Sequence, residues 1–231
     1  MRGAIFDLDG TLADTAEDLL AAANAALTLE GLPLLSVAQH RHIAGRGGRA
    51  MLRISVAAAG MDPDAETDLI DALYPMLITE YAKALDTHTT LYDGVEACLD
   101  QLQAAGWRLG VCTNKPEELA VPLLDRLGLA GRFGAVLGAN TLPVRKPDPE
   151  HVLETARRIE ADPRLCVMIG DTATDLNAAR NADIPCVLTT SGFSESPVAD
   201  LGPDAIISQF AQLSDALERL CPAASVAANP A

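Results

Sequence analysis

Aromatic side chains make up only 3% of this 231-residue chain, and lysine occurs only at positions 83, 115 and 146. A core without large rings must be built from Ala, Leu, Val and Ile, which suits helices packed closely on a sheet. Basic charge is scarce as well: 17 Lys and Arg stand against 32 Asp and Glu, a formal net charge of −15. Nucleic acid and anionic membrane surfaces both demand a basic face, so neither is expected as a partner. An anionic ligand must then be met by a local cation. No apolar run approaches the roughly 20 residues that a membrane span needs, and the run after Met1-Arg2 is cut at Asp7, too early for an export signal. Cysteine is sparse and unpatterned. Cys98, Cys112, Cys166, Cys186 and Cys221 are odd in number, lack metal-ligand spacing, and the first four lie in apolar runs. They are expected to be reduced, mostly buried thiols of a cytoplasmic protein.

What the chain does contain is concentrated first in the stretch from Ala4 to Thr15. Ala4, Ile5 and Phe6 have the character of a buried strand, which ends in two carboxylates two positions apart, Asp7 and Asp9, followed by Gly10 and Thr11. Acids are unfavourable at such a place unless a cation or a proton offsets them. Open α/β sheets bind ligands beyond the carboxyl ends of their strands, so a reactive carboxylate would stand here too. A strand followed by an acidic turn accounts for a bare Asp-x-Asp equally well.

Downstream the apolar spacing becomes helical. Asp18 to Glu30, closed by Gly31, reads as a helix; Ser36 to His42, Arg49 to Ala59 and Ala65 to Leu85 read as three more, the last with Pro75 inside it. Between Thr15 and Asp86 only helix is expected. From Leu91 the pattern alternates. Asp93 and Glu96 have capping-box spacing ahead of a helix to Ala105. Strands are expected at Leu109–Cys112, Ala135–Leu137, Leu165–Ile169, Cys186–Leu188 and Ala205–Ile207, with helices starting at Pro116, Asp148, Ala173 and Gln209. Such alternation over short connections predicts a mostly parallel sheet covered on both faces. The expected organisation is an α/β core from residues 1–14 and 87–220, a helical insert at 15–86 and a disordered tail at 221–231. The length suffices for one good core plus such an insert.

Three further sites follow predicted strands. Thr113 offers a hydroxyl among the free amides of a helix start, a place suited to a phosphate oxygen as well as to a plain helix cap. Lys146, in the proline-braced Lys146-Pro147-Asp148-Pro149, is a point cation that can neutralise a transferring phosphoryl group or simply be solvated. Val167-Met168-Ile169-Gly170 leads into Asp171, with Asp175 four residues on, so a second strand ends in a carboxylate.

Asp7-x-Asp9-Gly10-Thr11, Thr113-Asn114, Lys146-Pro147 and Gly170-Asp171-x-x-x-Asp175, in this order and each after its strand, resemble the four motifs of the haloacid dehalogenase (HAD) superfamily. The resemblance spans Arg2 to Leu220 and implies a Rossmann-like, mostly parallel α/β core with an inserted all-helical cap of subfamily I. Leu12-Ala13-Asp14-Thr15, Gly45-Arg46-Gly47-Gly48-Arg49, Thr190-Ser191-Gly192-Phe193 and Pro203-Asp204-Ala205-Ile206 are similar to the phosphoglycolate phosphatase branch. The resemblance implies that Asp7 is a nucleophile forming an aspartyl-phosphate, and that Asp9 protonates the leaving oxygen and then activates water. It implies that Thr113, Asn114 and Lys146 clamp the phosphoryl oxygens. Magnesium is the implied cofactor, held by Asp7, the Asp9 carbonyl and Asp171, with Asp175 supporting directly or through water; all-oxygen ligands and a phosphate suit that ion. Like charges about 4 Å apart in a partly dry cleft cost several kcal/mol, a conflict that a divalent cation removes.

The partner implied is a small phosphorylated metabolite, 2-phosphoglycolate first. A sugar phosphate such as N-acetylmuramate 6-phosphate, pyrophosphate and phosphomutase chemistry are the alternatives. A catalytically silent, phosphometabolite-binding regulator would be expected to lack Asp7 or Asp9, and both are present. Asp9 argues against a dehalogenase, because a halide leaves without a proton. The lack of lysine between Thr15 and Ala82 argues against phosphonate hydrolases that use a cap lysine. Arg46 and Arg49, beside flexible glycines, are candidates to read a second anionic group on the substrate, or to be solvated at a helix start. Monomer and homodimer both remain open. His40 and His42, two apart on a predicted helix, cannot share a face as ligands and are expected at the surface, while His88, His151 and Trp107 have no evident chemical partner and are expected to be bland. Asp183 stands where relatives usually carry glycine and is expected to accept a left-handed backbone at local cost.

Overall fold

The structure, a computed structural model, describes residues 1–222. The chain opens with β1 (Gly3–Phe6) and a two-residue strand, β2 (Ala13–Asp14), before four consecutive helices: α1 (Ala16–Leu29), α2 (Val37–Ala44), α3 (Gly48–Ala58) and α4 (Thr67–Lys83). A second two-residue strand, β3 (Thr90–Leu91), returns the chain to the alternating part. This runs through α5 (Val95–Ala104), β4 (Arg108–Cys112), α6 (Glu117–Arg126), β5 (Ala135–Leu137), α7 (Pro149–Arg158) and β6 (Cys166–Gly170). It continues through α8 (Ala173–Asn181), β7 (Cys186–Thr189), α9 (Val198–Leu201), β8 (Ala205–Ile207) and α10 (Leu213–Leu220). Six strands pair in parallel in the order β5-β4-β1-β6-β7-β8, while β2 and β3 form a separate antiparallel pair.

The strands are apolar on both faces because both faces are covered. Alternate residues of β1 go opposite ways: Ala4 and Phe6 join a core shared with α1, α5 and α10, and Ile5 joins a second core with α7 and α8. The helical insert closes on its own apolar stripes, with Leu20, Ala23 and Leu27 of α1 meeting Met51 and Leu52 of α3 and Leu73 and Leu77 of α4 in the first core. Pro75 lies inside α4 on its exposed side, so the carbonyl deprived of a donor faces water and the helix continues. All five cysteines are free and buried.

Several local expectations are corrected. The α5 N-cap is Gly94, at φ 83, and not Asp93; the left-handed residue turns the chain so that no side chain caps the helix. Pro116 is the N-cap of α6 and not its first residue. Gln209 opens a short 3-10 turn before α10 begins at Leu213. Cys221, assigned to the tail, is 5% exposed and its amide donates to the Leu217 carbonyl at 2.8 Å, so it ends α10. The rest of that expectation, from residue 223 on, lies outside the described residues. The β2–β3 pair was not foreseen, since two residues are too few to show a period.

Asp18, in the first turn of α1, is 3% exposed and accepts from the backbone amides of His88 and Thr89 and from the Thr89 hydroxyl, at 2.7 to 3.1 Å. One carboxylate therefore ties the chain entering the helical insert to the chain leaving it. Asp183 has φ 54, as expected after α8. A left-handed residue costs an L-amino acid about 1–2 kcal/mol, less for Asp, and glycine recovers part of it. Asp183→Gly is expected to stabilise by about 0.5 kcal/mol, read as a higher urea midpoint at unchanged m value.

Candidate active site

Strand order alone brings the first three side chains together. β1 lies between β4 and β6, and Asp7, Thr113 and Asp171 are each the residue that follows its strand, so they stand side by side at the carboxyl edge of the sheet. Neighbouring strands are about 4.8 Å apart, which is within contact range for their side chains.

Asp7 extends β1 by one rung, its amide donating to the Ile169 carbonyl at 2.9 Å. Its Oδ1 accepts from the Leu8 amide at 2.7 Å and lies 3.0 Å from the Lys146 ammonium. Burial pushes its pKa up to about 6; Lys146 opposes the shift, and Asp175 and Asp9 reinforce it. Asp171 is fully buried, with only neutral donors: the Thr11 hydroxyl at 3.0 Å and the Phe193 amide at 2.6 Å. Burial, then Asp175 and Asp7, hold its carboxyl well above the usual range. Asp175 closes the α8 capping box, its Oδ2 accepting from the Thr172 amide and hydroxyl, while Oδ1 takes the Lys146 ammonium at 2.7 Å. Asp7, Asp171 and Asp175 each present an oxygen within 4.8 Å of the others.

The packing leaves no slack. Gly10 has φ 81, and a Cβ there would sit 2.4 Å from an Asp171 oxygen; at Gly170 it would sit 2.3 Å from Asp175. Gly10 thus lets the first acidic loop approach the fourth, and Gly170 lets Asp175 fold back against the end of β6.

Lys146 is 2% exposed and paired with Asp7 and Asp175. Burial would lower its pKa, but the two carboxylates outweigh this and hold it above the ordinary lysine value. Its loop is pinned from both sides: Asn114 Nδ2 donates to the Lys146 carbonyl at 3.0 Å, and Asn181 Nδ2 to the Pro147 carbonyl at 2.9 Å. Thr113 is buried, its amide bonded to the Leu137 carbonyl and its hydroxyl accepting from the Lys115 amide. Thr113, Asn114 and Lys146 all line the cavity that contains Asp7 and Asp9.

That cavity has a volume of about 480 Å³, with the sheet edge as its floor and Leu77, Ile78 and Tyr81 of α4 on one wall. Asp9 opens onto it but is not free. Lys115 Nζ lies 2.9 and 3.2 Å from its two oxygens and 2.7 Å from the Tyr81 hydroxyl. Lys115 and Tyr81 were missed from the sequence. The only signals were that Lys115 follows Thr113-Asn114 directly and is one of three lysines; nothing marked Tyr81, whose approach depends on the insert folding over the sheet. Burial pushes the Tyr81 hydroxyl up to about 12.

Arg46 and Arg49 also line the cavity, at its rim. Arg46 is 3.1 Å from Glu195 with its side chain 60% exposed, and Arg49 pairs with Asp71 and lies over the Tyr74 ring. Three groups expected to be without partners have them, the first being His88, whose Nδ1 lies 3.6 Å from a Glu17 oxygen. His151 is fully buried beneath the Lys146 loop, Nε2 3.0 Å from the Gly138 carbonyl, and burial with the nearby ammonium pushes its pKa down to about 4. The Arg2 guanidinium covers the Trp107 ring at 4.4 Å.

Residues 4–189 match the haloacid dehalogenase-like hydrolases. The chain belongs to that family. A phosphoglycolate phosphatase of Agrobacterium fabrum is 41% identical over 215 residues, covering 93% of this chain and 91% of its own. One of Caulobacter vibrioides is 42% identical over 221 residues, covering 94% and 92%. A crystal structure described as a predicted phosphoglycolate phosphatase from Haemophilus somnus superposes with a TM-score of 0.85 at 28% identity, over 93% of this chain and 97% of that one. The match thus runs through both the α/β part and the helices between β2 and β3 of this HAD-like hydrolase.

Proposed function

We propose that this protein is a cytoplasmic, magnesium-dependent phosphatase that hydrolyses 2-phosphoglycolate through an aspartyl-phosphate on Asp7. The observation that carries the reading is the pairing of acids across one cavity: Asp7 beside Lys146, and Asp9 two residues on, held by a different cation. A nucleophile and a proton donor are thereby kept apart in role though close in space. The helices between β2 and β3 act as its cap, and among the described residues no helix is long and apolar enough to cross a membrane.

The donor set fits a divalent cation. Asp7, Asp171 and Asp175 supply three carboxylates against one ammonium, Lys146, so two negative charges are left over, the charge that one divalent ion carries. Asp7, the Asp9 carbonyl and Asp171 would hold it, with Asp175 behind them, and the all-oxygen set favours magnesium. When bound, the ion supplies charge neutralisation at the transferring phosphoryl group.

The chain's own residues do the rest. The Leu8 and Lys146 contacts both fall on Asp7 Oδ1, which orients Oδ2 to attack phosphorus in line. Lys146, the Thr113 hydroxyl and the backbone amide of Asn114 meet the phosphoryl oxygens as charge builds on them. Asp9 gives a proton to the leaving alkoxide and takes one from the water that cleaves the acyl phosphate. Arg46 and Arg49 gather the dianion at the rim, each by leaving an acidic neighbour.

A panel of phosphomonoesters, with N-acetylmuramate 6-phosphate and pyrophosphate alongside, tests the reading. The highest kcat/KM is expected for 2-phosphoglycolate, with release of phosphate stopped by chelator; a protein that binds these compounds without turnover is a regulator. The metal also has a signature in stability. Because burial raises Asp7 to about 6, its contribution to stability is present when it is protonated, below the unfolded value near 4, and is lost as pH rises through 6. Magnesium is therefore expected to raise Tm more at about pH 7.5 than at about pH 5, where protons already occupy the carboxylates.

A further inference from the structure

The proposed reaction leaves one buried cation without a task. Lys115 is 2% exposed at its side chain, lines the cavity, and points its ammonium at Asp9 and at the Tyr81 hydroxyl. We propose that Lys115, set in place by Tyr81, binds the carboxylate of the leaving group and makes the enzyme specific for phosphoesters of short 2-hydroxy acids. This rests on the phosphatase reading and adds to it the residue that chooses the substrate.

The argument is one of bond lengths. In 2-phosphoglycolate the carboxyl carbon is two bonds from the ester oxygen. Whatever binds that carboxylate must therefore stand next to the group that protonates the ester oxygen, which is Asp9. The neighbour of Asp9 is Lys115, at 2.9 Å. An ammonium has three donors; one serves Tyr81, one suffices for Asp9, and one is left for a ligand. Tyr81 also places its ring 4.2 Å from Nζ, so the cation is fixed from two directions by a residue on α4.

The other cations of the cavity are placed less well. Arg46 and Arg49 have side chains 60% and 51% exposed and are engaged by Glu195 and Asp71. Arg145 is exposed at the rim, and Lys146 is committed to Asp7 and Asp175. Charges in water discriminate weakly between an anion and a neutral group, whereas a desolvated ammonium discriminates strongly. The cavity is lined also by Leu19, Leu77, Ile78 and Leu119, and the Lys115 side chain is only 2% exposed.

The test compares 2-phosphoglycolate with 2-phosphoglycolamide, the isostere in which a neutral amide replaces the carboxylate, by the ratio of the two kcat/KM values. Wild type is expected to favour the acid. Lys115→Met is expected to reduce that ratio about 30-fold, the loss of one charge-assisted hydrogen bond, and Lys115→Arg to restore part of it. Tyr81→Phe should lower the ratio several-fold, while Arg145→Gln leaves it within about threefold. Binding of both compounds to Asp7→Asn, with and without Lys115→Met, gives the same ratio by calorimetry if the single variant is inactive. A ratio unchanged in Lys115→Met, or one that collapses in Arg145→Gln instead, overturns the assignment and leaves the phosphatase reading standing. Wild type that hydrolyses both compounds equally overturns the substrate reading and the inference together.

Discussion

Asp7→Asn is expected to abolish turnover of 2-phosphoglycolate, with kcat lower by at least about 10⁴-fold, in a protein that folds normally. The amide keeps the size of the side chain and can still meet the Leu8 amide, but it is no nucleophile. The second half of the expectation separates a chemical role from a structural one. Three carboxylates crowd one site against Lys146, and burial already holds Asp7 near pKa 6. Deleting one of the charges should therefore stabilise the chelated protein at about pH 7.5, by roughly 1–2 kcal/mol. Urea titration in chelator measures the stability and phosphate release the rate. Turnover above one part in a hundred would remove Asp7 from the chemistry, and a lower stability would mean that its pairing with Lys146 outweighs the repulsion.

Lys146→Met should fail in the opposite sense. The ammonium is 1% exposed at its side chain and is the counter-ion of both Asp7 and Asp175. Breaking a buried pair by removing one partner costs about 3–5 kcal/mol, because the remaining charge is left uncompensated, and here two carboxylates are left. The variant is expected to lose that much stability in chelator, to recover most of it on addition of magnesium, and to remain at least about 10³-fold slower than wild type, since the cation proposed to meet the phosphoryl group is gone. The recovery is the telling measurement. If magnesium restored stability and activity alike, Lys146 would be a structural counter-ion only.

How much of this was legible beforehand depended on the kind of signal. Asp7, Thr113 and Asp171 could be found because each ends an apolar run, and once the strands are known to be parallel and adjacent the three must meet. Helices α1, α3 and α4 were readable from spacing, since each is long enough to show a period, whereas the short α2 was suggested only by Ser36 as a cap. Lys115 and Tyr81 were not, because their contact joins positions 34 residues apart through the fold of the insert and leaves no pattern in either neighbourhood. The same holds for Phe193, whose amide reaches Asp171 from the loop after β7. Turn geometry was the weakest point. At α5 a left-handed Gly94 displaced the capping acid that the spacing of Asp93 and Glu96 suggested.

Asp18 has a consequence for how such a protein can change. Because its carboxylate holds the start of α1 against the backbone of His88 and Thr89, the ends of the segment between them lie at one point beside the short β2–β3 ribbon. A stretch whose ends coincide can be replaced by another with the same spacing and leave the sheet and its acids undisturbed. On the proposed reading the bond-breaking apparatus and part of the selection of what reaches it are then separately exchangeable, and transplanting residues 19–87 from a relative of different preference should carry across the share of that preference that does not rest on Lys115, outside the graft.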